Sequence, residues 1–227
     1  MLVAGCQRSG TTMLSRVITQ SDGMVKYWFG HDDELDAALI LSGQESHDPK
    51  GRYCFQTTYM NQCYREYFEH PGKFQLIWVL RNPYSVVYSL AYNWSRFARN
   101  ELFHACGVGA MSGNDRECFD RYGAWLIGKL RRACYSYNGK VSQLFELAGQ
   151  LDERTLMVVD YDELVRAKEK LLPLVYDFIQ LPYQPRYAEA IHSKSLKKAE
   201  RFNDRQHMLV EAICEPVYAR ARDFLSI

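Results

Sequence analysis

Gly5-Cys6-Gln7-Arg8-Ser9-Gly10-Thr11-Thr12 follows a short apolar strand, Met1 to Ala4, and runs into a helical pattern. A strand, a glycine loop and a helix in that order bring successive backbone N–H groups and the helix N-terminus onto one anion, and the glycines let the chain come close to it. A triphosphate-binding loop is written G-x-x-x-x-G-K-[ST], its lysine reaching the β- and γ-phosphates and its hydroxyl holding Mg²⁺. Here Thr11 occupies the lysine's place. The cation comes earlier, at Arg8, among hydroxyl donors at Ser9, Thr11 and Thr12. Such a loop suits an anion with less charge than a triphosphate.

The chain has 227 residues, 47% of them hydrophobic, enough for one α/β domain with a substantial core. Neither an internal repeat nor a low-complexity linker divides it, so residues 1–227 read as a single domain. A formal charge of +1 gives no basic excess for a nucleic-acid backbone, and no apolar run approaches the ~20 residues that cross a bilayer. Neither nucleic acid nor a membrane is expected as a partner. Seven cysteines, at positions 6, 54, 63, 106, 118, 134 and 214, form no C-x-x-C pair and no metal-type spacing with histidine. A reducing, cytoplasmic location is the simpler inference.

Outward from the loop, Thr12 to Gln20 has helical spacing and Ser21-Asp22-Gly23 ends it as a turn. Met24 to Phe29 reads as a second short strand, followed by acidic His31-Asp32-Asp33-Glu34 and a helix from Leu35 to Leu41. Arg52 to Gln56 is a candidate third strand. Phe74 to Leu80 is the strongest buried-strand signal, and Pro83 is well placed as the first residue of the next helix. Ser112 to Asp115 breaks the pattern before a long helical region from about Phe119 to Gly149. Thr155 to Val159 reads as another strand, with a helix from Tyr161 to about Ile179. Strands alternating with helices imply a three-layer α/β/α fold around a parallel sheet. Its ligand belongs at the carboxyl ends of the strands.

The second informative element is Arg81-Asn82-Pro83-Tyr84-Ser85-Val86-Val87-Tyr88-Ser89, with an arginine at a strand's end and a serine on the helix after it. The long arginine side chain can reach over the first helical turn, so both can face one phosphate. Together, G-x-x-R-S-G-T-T and R-x-P-x-x-x-x-x-S resemble the 5′-phosphosulfate loop and 3′-phosphate site of sulfotransferases that use 3′-phosphoadenosine 5′-phosphosulfate. The resemblance continues through Val158-Val159-Asp160-Tyr161-Asp162-Glu163-Leu164 and Asp177 to Pro182. The pattern is most similar to the tyrosyl-protein and bacterial small-molecule branch.

That resemblance implies a P-loop-like fold, a donor left as 3′-phosphoadenosine 5′-phosphate, and no required metal. Arg8, Ser9, Gly10, Thr11 and Thr12 would hold the phosphosulfate, Arg81 and Ser89 the 3′-phosphate, and Tyr161 would lie near the adenine. Lys197 and Lys198 match a late loop closing over the nucleotide, or are a solvated basic turn. Gln56 stands where family members often carry a catalytic lysine; its amide can donate to the bridging oxygen without a full charge, leaving Arg8 most of the electrostatic load. For the general base, His31 has a suitable pKa range and a neighbouring carboxylate to orient it. Asp32 is the next candidate, and it also reads as a helix N-cap. Cys6 reads as a packing residue. The stretch from Tyr92 to Met111 is the candidate acceptor lid.

The function this implies is transfer of a sulfuryl group to a hydroxyl or amine of a small metabolite or natural product. Five ionisable groups between His31 and Asp36 suggest a cationic acceptor. A protein-tyrosine or glycan acceptor is the alternative, and a nucleotide kinase or a silent nucleotide-binding module comes from other classes. The absent loop lysine counts against the kinase.

Overall fold

The computed structural model describes residues 1–27, 29–58, 74–192, 196 and 200–227. Four strands, β1 (Leu2–Gly5), β2 (Phe55–Thr57), β3 (Leu76–Leu80) and β4 (Leu156–Asp160), pair in the order β2-β1-β3-β4. Every pairing is parallel, with Val3 opposite both Gln56 and Ile77, and Val79 opposite Val159. From β1 the chain moves to one neighbour and then returns to the other side. The crevice where ligands bind in open α/β sheets therefore lies at the carboxyl end of β1.

Side-chain alternation splits the core into two layers. Leu2 and Ala4 of β1, with Leu76 and Trp78 of β3, pack under α3 (Pro83–Tyr92), α6 (Lys129–Ala148) and α9 (Asp204–Arg222). Val3, Ile77, Val79 and Val159 face the opposite way, toward α1 (Thr11–Thr19) and α8 (Lys168–Phe178). Buried on both faces, β3 has no polar residue to show water, as a central parallel strand must. Among the described residues the other α-helices are α2 (Asp33–Leu41), α4 (Arg96–Leu102), α5 (Gly113–Tyr122) and α7 (Tyr161–Arg166).

Three expectations are corrected. Residues 24–27 and 29 form no strand: Val25 N–H bonds the Arg52 carbonyl at 2.8 Å, and Tyr27 and Phe29 instead stack on each other and against Tyr53. Aromatic packing against the sheet edge replaces a ladder there. Gln56 consequently lies on the second strand of this sheet and Arg81 follows the third. The helix expected from Phe119 to Gly149 is interrupted at Gly123, whose φ of 78° is left-handed, and resumes at Lys129. The helix expected to Ile179 is two, parted at Ala167.

Candidate active site

The loop after β1 is shaped by backbone that few side chains tolerate. Gly5 has φ 143° and a Cβ there would meet the Val79 carbonyl at 2.6 Å; Gly10 has φ 114° and its Cβ would fall 2.1 Å from the Tyr161 ring. Between them Arg8 sits at φ 73°, a left-handed conformation costly for a non-glycine residue. No side chain caps α1, which leaves the N–H groups of Thr11 and Thr12 without a capping side chain. Ser9 Oγ and Thr57 Oγ1 are buried and find no hydrogen-bond partner among the described residues. Orphaned hydroxyls beside a glycine cradle and an arginine form a donor set that fits an anionic group.

Arg8 and the end of β3 meet directly. Arg8 Nε donates to Ser89 Oγ at 3.0 Å, and Arg81 Nη1 donates to the Arg8 carbonyl at 3.4 Å. Arg81 stays in place because its backbone carbonyl accepts from Tyr137 Oη at 2.8 Å and its guanidinium lies 4.4 Å over the Tyr161 ring. Local sequence explains the turn: Asn82 caps α3 by accepting from Ser85 N–H at 2.8 Å, and Pro83 fills the first helical position, which needs no donor. Arg8, Gly10, Thr11, Thr12, Arg81 and Tyr161 line one cavity of about 440 Å³, within the ~300–1,000 Å³ usual for small-ligand sites. Gln56 and Trp94 also line it.

A second cavity of about 510 Å³ shares Thr12 and Gln56 with the first. Asp33 and Asp36 line it, but so do Arg16 and Lys26. Its charge is balanced, unlike the acidic run in the sequence. Asp33 carboxylate accepts the Gln56 backbone N–H at 2.8 Å. Asp32 caps α2, accepting from Glu34 and Leu35 N–H groups at 3.0 Å each. His31 Nδ1 pairs with Asp36 Oδ1 at 3.0 Å, the imidazole half-exposed and the carboxylate buried. His31 and Asp32 line neither cavity, whereas Asp33 and Asp36 line the second. Burial, then the charge of Asp33, pushes the Tyr27 hydroxyl up, so it stays protonated beside that carboxylate.

Sequence reasoning passed over Asp33 and Asp162 as site residues, and offered Trp94 and Phe97 among aromatics for either an acceptor pocket or the core. Asp33 had a signal: once Asp32 is spent on the cap, the next carboxylate is the one that can turn to the sheet. Of those two aromatics, Trp94 follows α3 and lines the first cavity, while Phe97, three residues on, is 80% exposed. Lys197 and Lys198 lie outside the described residues, as do Tyr59, Tyr64, Tyr67 and Phe68, further aromatics that the sequence offers for either an acceptor pocket or the core. Cys6 is 2% exposed, and burial pushes its thiol far up, which keeps it unreactive. Among the described residues no cluster of three His, Cys, Asp or Glu side chains could hold a metal ion, and no helix is long and apolar enough to cross a membrane.

No protein-family model matches the sequence, and no curated protein does. Solved structures do match. A sulfotransferase from Mycobacterium avium superposes with a TM-score of 0.59 at 13% identity, over 100% of this chain and 76% of that one. The sulfotransferase domain of the curacin biosynthetic pathway gives 0.55 at 12%, over 98% and 95%. A mouse sulfotransferase complexed with PAP gives 0.53 at 12%, over 99% and 87%. The chain has the α/β fold of the solved sulfotransferases.

Proposed function

We propose that residues 1–227 form one sulfotransferase domain that moves a sulfuryl group from 3′-phosphoadenosine 5′-phosphosulfate to a hydroxyl or amine of a small acceptor. The observation that carries this is the meeting of both cations in one cavity, with Arg8 on Ser89 and Arg81 on the Arg8 carbonyl. Two distant sockets could not serve one adenylate. When bound, the donor supplies the sulfur that the acceptor atom attacks, and the sulfur–oxygen bond to the nucleotide breaks with its electron pair on the phosphate. Arg8 and the loop N–H groups neutralise the charge gathering on that oxygen, and Gln56 adds a neutral donor. Arg81 and Ser89 hold the 3′-phosphate, with Tyr161 near the base.

The acceptor's proton needs a base. His31 paired with Asp36, or Asp32, is the base the sequence offers, and Asp33, which lines the second cavity and accepts the Gln56 N–H, is a further candidate. Two carboxylates among two cations favour a neutral hydroxylated acceptor over a cationic one. Natural-product chemistry is supported by the pathway named for the curacin domain. A turnover assay with the phosphosulfate, paired with calorimetry using 3′-phosphoadenosine 5′-phosphate and using ATP with Mg²⁺, tests the assignment. Arg8→Ala should lose turnover far more than nucleotide affinity, and Arg81→Ala should lose affinity first. Preferential binding of ATP with Mg²⁺ would overturn the reading.

A further inference from the structure

Arg81 is 2% exposed and Asp162 is 5% exposed, so neither charge has water to stabilise it and each depends on its partner. Asp162 Oδ1 accepts from Arg81 Nε at 3.1 Å. Its other oxygen accepts from the Asn82 backbone N–H at 3.4 Å and from the Asn82 side-chain amide. A guanidinium is a rigid plane with five donors. Here its Nε edge is held by Asp162, its face rests on Tyr161 and Nη1 reaches the Arg8 carbonyl, so the direction of the whole group is determined. Arg81 lines the donor cavity, and Asp162 is not among the lining residues.

We propose that Asp162 is a positioning residue for recognition of a ligand's second phosphate: it touches no ligand, but orients Arg81 toward the cavity. The proposal rests on the sulfotransferase reading for the identity of that ligand. Asp162 also stands in the first turn of α7, where an acid favours the helix N-terminus. A purely structural role of that kind predicts equal losses for every nucleotide.

Calorimetric titration of the full chain with 3′-phosphoadenosine 5′-phosphate and with adenosine 5′-phosphate separates these roles. Wild type should prefer the bisphosphate; Asp162→Asn should cut that preference by at least about tenfold while changing adenosine 5′-phosphate affinity less than about twofold. In an Arg81→Ala background, Asp162→Asn should cut it no further. Equal weakening of both ligands, or an undiminished preference, overturns the proposal. If Asp162→Asn does not fold, Arg81→Lys tests the same bracket, because an ammonium keeps the charge but cannot hold the Asp162 carboxylate and Arg8 carbonyl together; an undiminished preference there also overturns it. Wild type without any preference for the bisphosphate removes the sulfotransferase reading itself, a different failure.

Discussion

Gly10 is the residue where geometry leaves least choice. At φ 114°, with the Tyr161 ring 2.1 Å from where a Cβ would sit, alanine meets both backbone strain and a clash. Strain alone costs about 1–3 kcal/mol. Gly10→Ala should therefore lower the melting temperature and abolish nucleotide binding in calorimetry, and an unchanged melting temperature would contradict the geometry. The glycine was legible in the motif. Its reason was not, because Tyr161 lies far along the chain and only the parallel sheet brings it to the loop.

At the scale of elements, caps decide which acids are available. Asp32 spends its carboxylate on two N–H groups of α2, worth about 1 kcal/mol against alanine. Asp32→Ala should lower unfolding free energy by about that amount, whereas Asp32→Asn, an equally good cap, should keep stability. Denaturant unfolding and turnover measured together distinguish the roles: if Asp32→Asn folds normally yet loses turnover, Asp32 acts in chemistry as well. The acidic run from His31 to Asp36 showed in the sequence as one feature. Helical geometry then divided it into a cap at Asp32, a contact to the sheet at Asp33 and a histidine partner at Asp36, because successive side chains leave a helix about 100° apart.

For the molecule as a whole, Lys140 in α6 is a charge held in the core, at 1% exposure with Gln143 Oε1 at 3.2 Å. Burial pushes its ammonium down to about 8 from 10.5. Since the folded value is the lower one, the unfolded chain binds more protons between those values, and this group's contribution to stability rises with pH and is lost as pH falls through about 8. The stability of Lys140→Met relative to wild type should thus be greatest near neutral pH and shrink as pH rises toward 10.5. Denaturant unfolding across that range checks it, and a pH-independent difference would refute it. The sequence by itself determined the alternation of strands and helices, the glycine loop after the first strand and the helix opened by Asn82 and Pro83, because those signals are written in neighbouring residues. Only the tertiary structure decided that residues 24–27 and 29 form no strand, that Asp162 grips Arg81 and that Arg8 meets Ser89. Those outcomes depend on which side chains a parallel sheet gathers from distant parts of the chain, and spacing along one strand or helix carries no record of that.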